Sequence, residues 1–151
     1  MITFRAVRIP EDYARIADML TAFRSVPVSM MDILETDKKY SATEPVTYDE
    51  GGLLVSPYRH RSVAVTADAT IVGYLSLWRM SWTAPGKLIM TLFVDPLHRR
   101  KGIGRALLQE ARTHAQVLGA TSLQAELRDN DPAARRFAET ATFALKYHMF
   151  E

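Results

Sequence analysis

The residues of this chain whose types could do chemistry together are His98-Arg99-Arg100-Lys101-Gly102-Ile103-Gly104-Arg105. Basic side chains and two glycines stand directly before a segment carrying Ile103, Ala106, Leu107 and Ala111 at helical spacing. A helix that starts in such a turn offers unpaired backbone N–H groups and the positive end of its dipole. The glycines remove the side chains that would keep a bulky anion away from those groups. The pattern is that of an anion cradle suited to a pyrophosphate. It lacks the Gly-Lys-Ser/Thr of a Walker loop. No His, Asp and Glu set shows metal-ligand spacing, so no metal is expected. His98 reads as a turn-surface residue and His114 as a helix-face residue.

The elements around the cradle have to position it. Residues 88–94 form an apolar run broken only by Thr91, which suits a strand covered on both faces. Asp95-Pro96 ends that strand, which begins near residue 87, and a helix follows from about Gly102, with Gly119 placed to close it. Residues 122–127 form the next strand. Because a helix separates it from the strand at 87–94, the two should lie parallel as a right-handed unit.

Upstream, residues 2–9 read as a strand. A helix opens at Pro10-Glu11-Asp12 and buries Tyr13, Ile16, Ala17, Leu20 and Phe23. Ser29 and Asp32 form a capping box for a second helix from about 30 to 40, with Met30, Met31, Ile33 and Leu34 as its apolar face. Residues 41–60 look like a long loop and a candidate substrate-facing surface. Strands at 62–66 and 71–81 make a hairpin through Ala67-Asp68-Ala69-Thr70. Downstream, a helix starts near Pro132 and runs to about 140, and Phe143, Leu145, Tyr147 and Met149 alternate in a last strand. The order is that of a mostly antiparallel sheet with one parallel pair and helices packed on it, an α+β or mixed α/β domain.

The 151 residues are read as one domain with a sizeable core. A net charge of +2 leaves the cradle as the only dense basic patch. A nucleic-acid interface would need a broad basic face or stacking aromatics, and the helix supplies neither, so no nucleic-acid partner is expected. Cysteine is absent, which excludes disulfides and thiol nucleophiles and fits a reducing compartment. The first residues have no signal-peptide core and no run reaches transmembrane length, so a cytoplasmic location without membrane contact is expected.

Taken with the strand ending Val94-Asp95-Pro96 and with Ala106-Leu107-Leu108, the run Arg99-Arg100-Lys101-Gly102-Ile103-Gly104 resembles the Arg/Gln-x-x-Gly-x-Gly/Ala signature of the GNAT superfamily of acyl-CoA-dependent N-acyltransferases. Ile71-Val72-Gly73-Tyr74 and the joint from Asp131-Pro132-Ala133-Ala134-Arg135-Arg136-Phe137 to Phe143 are similar to the same family. The resemblance is strong over residues 61–143 and rests on element order before that. It implies a central, mostly antiparallel sheet with one splayed parallel pair and helices on both faces. It also implies acetyl-CoA as co-substrate and an amine acceptor.

By the same resemblance, backbone N–H groups from Arg99, Arg100, Lys101, Gly102, Ile103 and Gly104, with Arg105 close by, would hold the pyrophosphate. Leu92, Phe93 and Val94 would pair with the pantetheine arm, and Asn130, Asp131, Ala134 and Phe137 complete the cofactor set. A backbone N–H near Phe93 or Val94 would face the thioester carbonyl as an oxyanion donor. Four positions depart from the family. Ala138 stands where a tyrosine often protonates the leaving thiolate, and Met90 where some members hold a basic glutamate. Thr142 and Asp131 also replace a usual glycine and asparagine. An alkyl ammonium has a pKa of about 10 and only the neutral amine attacks, so a proton path is needed. Its candidates are Glu126 and Tyr147, then His148, Tyr58, His60, Asp49 and Glu50, or a water relay.

The leading expectation is an acetyl-CoA-dependent N-acetyltransferase acting on a small-molecule, peptide or protein amine. The alternative is an acyl-CoA-binding sensor or a catalytically degenerate domain. The family usually ends with two strands after the last helix and this chain shows one, so either a partner copy covers that edge in a homodimer or the domain is half of a tandem.

Overall fold

Lys87 to Val94 lies between two other strands and is apolar toward both faces of a sheet, as its composition predicts. The computed structural model describes residues 2–24, 27–40, 45–98 and 101–125, with the side chains of residues 23 and 24 outside the description. Five strands form one sheet in the order β1 (Thr3–Ala6), β2 (Tyr58–Val65), β3 (Ile71–Arg79), β4 (Lys87–Val94) and β5 (Ser122–Ala125). The first three pairings are antiparallel. β4 and β5 run parallel, with Lys87 opposite Ser122 and Met90 opposite Ala125. The α+β expectation therefore holds, and so does the parallel pair. The predicted helix at 132–140 and strand at 143–149 lie outside the described residues, as do Phe143, Ala138, Thr142 and His148.

Helices cover both faces. Helices α1 (Tyr13–Arg24) and α2 (Met30–Lys39) pack Tyr13, Ile16, Leu20 and Ile33 against Val63, Val65, Tyr74 and Phe93. Helix α3 (Ile103–Leu118) packs Ile103, Leu107, Leu108 and Ala111 against Ala64, Leu75, Leu77 and Met90. The alternation of strand side chains assigns each residue to one of these covers.

Local chemistry explains the ends. The Ser29 hydroxyl accepts from the Asp32 N–H at 3.1 Å, and the Asp32 carboxylate accepts from the Ser29 N–H at 2.8 Å, so the predicted capping box is formed. Gly119 closes α3 in the left-handed conformation, with its own N–H and that of Ala120 turned back to the last turn.

Several expectations need correction. β1 is shorter than 2–9 because Arg8 already turns, its N–H donating to Asp12 at 2.7 Å. Pro10 belongs to that turn, and α1 starts at Tyr13. Met30 and Met31 are exposed: α2 turns Ile33 and Asp37 inward, and the two methionines stand in the first turn ahead of them. β2 begins at Tyr58, four residues before the expected start. Arg59 and His60 look like loop by composition, yet they and Arg61 each have a partner on a helix: Asp37 for the arginines, Glu110 for the histidine.

Candidate functional site

The end of β4 and the start of α3 are held in register by Asp95. Its carboxylate accepts from the Leu97 N–H at 2.9 Å and pairs with Arg15 of α1 at 2.8 Å, while its carbonyl accepts from the His98 N–H at 2.8 Å. The Leu97 N–H first, then Arg15, hold the carboxyl below the usual carboxylate range. A short 3-10 turn, Pro96–His98, follows. The chain then enters α3 through Gly102 at φ 79°, a left-handed conformation that a side chain would strain. Among the described residues no side chain caps the start of α3. The Ala106 N–H donates to the Gly102 carbonyl, so the N–H groups of Ile103, Gly104 and Arg105 precede the first helical bond. Lys101 and Arg105 are exposed beside them, and Ile103 is a buried peg beneath.

β4 has a second feature. The Asp95 N–H donates to Val72 on β3 at 2.8 Å, and the Gly86 carbonyl accepts from Thr121 on the β5 side at 2.8 Å. Backbone direction alternates along a strand. Phe93 and Thr91 therefore direct their N–H groups to β3, and Leu92 and Val94 direct theirs to the β5 side. β5 pairs with β4 only up to Met90 among the described residues. Among the described residues, Leu92 and Val94 thus have no strand partner on the side of β4 that leads to the α3 N-terminus. Of the two residues expected near the thioester carbonyl, Phe93 turns its N–H to β3 and Val94 turns its N–H away from it.

The other expected residues divide clearly. Arg99, Arg100, Glu126, Asn130, Asp131, Ala134, Phe137 and Tyr147 lie outside the described residues. Met90 faces α3 and is buried there, so a carboxylate at this position would not look toward α2. Tyr58 and His60 are on β2, not in a loop, and His60 stands across Leu77 from Met90. Two strand spacings of about 4.8 Å each separate them, with Leu77 between, which removes His60 as a base at β4. Asp49 and Glu50 sit in an exposed turn, where the Asp49 carboxylate accepts from the Leu53 N–H. That turn is tied to the far end of α3 by the Tyr48 hydroxyl, which donates to the Leu118 carbonyl at 2.7 Å. His98 is half-buried, and its Nδ1 has no hydrogen-bond partner among the described residues.

Three arrangements escaped sequence reasoning. Arg61, Ser76 and Thr91 stand side by side across β2, β3 and β4 on the face under α1 and α2. Arg61 donates to the Tyr13 hydroxyl at 2.8 Å and pairs with Asp37, which Arg59 also reaches, and the Tyr13 hydroxyl donates to Asp37. Burial works against the Asp37 charge, but Tyr13, Arg61 and Arg59 outweigh it and hold the carboxyl below its ordinary range. Burial first, then Asp37, push the Tyr13 phenol up. This row is polar ground reaching to β4. A second arrangement joins Tyr58 and His60 to Glu110 and His114 of α3. The four-residue step from Glu110 to His114 was its sequence signal. Third, Arg79 is 1% exposed and donates to six backbone carbonyls, those of Val55, Ser56, Met80, Thr83, Ala84 and Lys87.

A profile of the acetyltransferase (GNAT) family matches residues 28–143. The N-alpha-acetyltransferase RimI of Mycobacterium tuberculosis is 37% identical over 81 residues, 53% of this chain and 49% of that protein. A mycothiol acetyltransferase of Saccharomonospora viridis is 41% identical over 73 residues, 48% of this chain and 22% of that protein. The chain thus spans about half the length of the first relative and about a fifth of the second. Among solved structures, a ribosomal-protein-alanine N-acetyltransferase from Brucella melitensis superposes with a TM-score of 0.67 at 14% identity, covering 100% of this chain and 98% of that one, a likeness of fold.

Proposed function

The chain belongs to the acetyltransferase (GNAT) family, and from that premise we propose that it moves an acetyl group from acetyl-CoA to a primary amine by direct attack. The observation that carries this reading is the continuity of two sets of backbone donors. The uncapped start of α3 suits the pyrophosphate, and the outward edge of β4 at Leu92 and Val94 suits the pantetheine arm. Gly102, Ile103, Gly104 and Arg105 form the described part of the cradle, with Lys101 beside it. Arg99, Arg100, Asn130, Asp131, Ala134 and Phe137 are its proposed remainder.

The amine nitrogen attacks the thioester carbon, the C–N bond forms, the C–S bond breaks and the thiolate leaves. Negative charge develops on the carbonyl oxygen, where the Val94 N–H is the proposed donor. The amine must first lose its ammonium proton, whose pKa is about 10. Glu126 and Tyr147 remain the proposed side chains for the base and the acid. On the α1/α2 face the groups on and next to β4 that could hold a relaying water include the hydroxyls of Thr91, Ser76 and Tyr74. The names of the two relatives put peptide α-amines and mycothiol-like small-molecule amines first among acceptors to try. A cysteine-free chain in which no described helix is long and apolar enough to cross a membrane supports work in the cytosol.

The test is calorimetric titration with acetyl-CoA, followed by thiol release over peptide, amino-acid, polyamine and aminoglycoside amines. Saturable binding with release on at least one amine is the expected result. Binding without release on any amine would favour the sensor. Gly104→Glu should weaken binding at least tenfold, about 1.4 kcal/mol, and an affinity within about twofold of the parent would remove the cradle.

A further inference from the structure

Away from the cradle, α3 and β2 bring together side chains that the transfer does not use. Glu110 and His114 are four residues apart on α3 and so share one face. That face looks onto β2, where Tyr58, His60 and Ser62 alternate toward it. One donor atom from each of His60, Glu110 and His114 lies within 4.8 Å of the other two. His60 Nε2 stands 3.1 Å from Glu110 Oε2. Two ligands of one tetrahedral zinc, with bonds of about 2.05 Å, are roughly 3.3 Å apart, so this pair is already at ligand spacing.

A supporting shell is present as well. The Tyr58 hydroxyl lies 3.1 Å from His114 Nδ1 and fixes that ring, and the Ser62 hydroxyl donates to Glu110 Oε2. Outer partners of this kind orient ligands for a metal. The two imidazole rings stack at 3.9 Å between centroids, closer than a single His–Glu ion pair requires. All three donor residues are half-buried, so the solvent side remains for a water or further ligand.

We propose that His60, Glu110 and His114 form a binding site for a divalent d-block cation of the zinc class. Two imidazoles and one carboxylate suit zinc, cobalt or nickel and disfavour magnesium and calcium, which take oxygen ligands. The site is separate from the cradle: ten residues of helix, about 15 Å, divide Gly104 from His114. A bound ion would staple the middle of α3 to the free part of β2 beyond β1 and would not touch the thioester.

The experiment uses tag-free protein stripped with a chelator and titrated with zinc chloride by calorimetry, and with cobalt by visible absorption. One-to-one zinc binding with a Kd of about 10 µM or tighter is expected, together with the intense cobalt bands of a low-symmetry site. His60→Gln, Glu110→Gln and His114→Gln should each weaken zinc at least about tenfold, and His98→Gln should not. Absence of saturable binding up to about 1 mM zinc would overturn the proposal. So would equal affinity in the His60 and His114 variants, or a cobalt spectrum no different from the aqueous ion. The parent protein's zinc and cobalt data decide the matter even if a variant does not fold.

Discussion

Replacing Gly73 with alanine tests whether the packing under α3 and the donors at its start are one object. Gly73 lies on β3 beneath the first turns of α3. A Cβ there would stand 3.0 Å from Ile103 Cγ2, 3.1 Å from Ala64 Cβ and 3.1 Å from Leu107 Cδ1. Carbon contacts are comfortable at about 3.5–4.0 Å, so three contacts would each be short by roughly half an ångström. All three neighbours are buried; Ala64 Cβ is fixed to the backbone and Ile103 Cγ2 to its own Cβ, so only Leu107 Cδ1 is a far end that could swing. The relief is for α3 to lift. Overpacking of this kind costs about 1–3 kcal/mol, and alanine in place of glycine in a strand returns about 0.5–1 kcal/mol. The net expectation, at the middle of these ranges, is a loss of about 1 kcal/mol and a Tm lower by about 2–4 °C for a chain of this size. Because the lifted turn carries the N–H groups of Ile103 to Arg105, acetyl-CoA should bind more weakly, by roughly 3–10-fold. Thermal or urea unfolding reads the first effect and calorimetry the second. Gly73→Val should enlarge both. Unchanged Tm and affinity would refute the contact argument, and a lower Tm with unchanged affinity would detach the cradle from α3.

Further expectations concern buried charge, acid stability and the β4 edge. Arg79→Met leaves six carbonyls without their donor and should cost about 3–5 kcal/mol, even though burial weighs against the guanidinium charge and lowers its pKa. Arg79→Lys, with fewer donors in another geometry, should recover less than half of that, and a Tm within about 2 °C of the parent for Arg79→Met would contradict it. The Asp12 carboxyl is held below its usual range chiefly by the Arg5 guanidinium, at 2.7 Å and 3.0 Å, with help from the Arg8 N–H. Its depressed folded-state pKa means that its contribution is complete above the unfolded value of about 3.9 and fades as the pH falls through the folded one. The Tm gap between parent and Asp12→Asn should therefore shrink below about pH 4, and a gap constant from neutral to pH 3 would show that Asp12 acts by packing alone. Val94→Pro removes an N–H that is outside the β3 ladder, so kcat should fall about 10²–10³-fold with KM little changed, whereas Phe93→Pro should unfold the sheet edge. Equal kcat in parent and Val94→Pro would take the oxyanion role from this backbone.

The elements that carry the cradle were readable because their signals are local. The apolar run and Asp95-Pro96 bound β4 at the predicted residues, Ser29 and Asp32 made the predicted cap, and the glycines at 102 and 119 bracket α3. Each depends on backbone conformation and on neighbours within one turn, which residue order encodes directly. Even the parallel pairing of β4 and β5 follows from the helix between them.

Side-chain partners across the sheet were not readable in that way. Arg59 and His60 looked like loop residues because their partners, Asp37 and Glu110, lie 22 and 50 residues away. Met30 and Met31 looked like core because spacing marks a stripe without saying how much of it a neighbour covers. Met90 was compared with a catalytic position, yet strand pleating turns it under α3. Periodicity tells which residues share a face, and only strand register and helix docking tell what that face meets. For this chain, residue order alone pointed to the family and to the glycine turn proposed as the acyl-donor cradle. The packed sheet decided that Val94 turns its N–H away from β3, that Arg79 is buried among carbonyls, and that two histidines and a glutamate stand together.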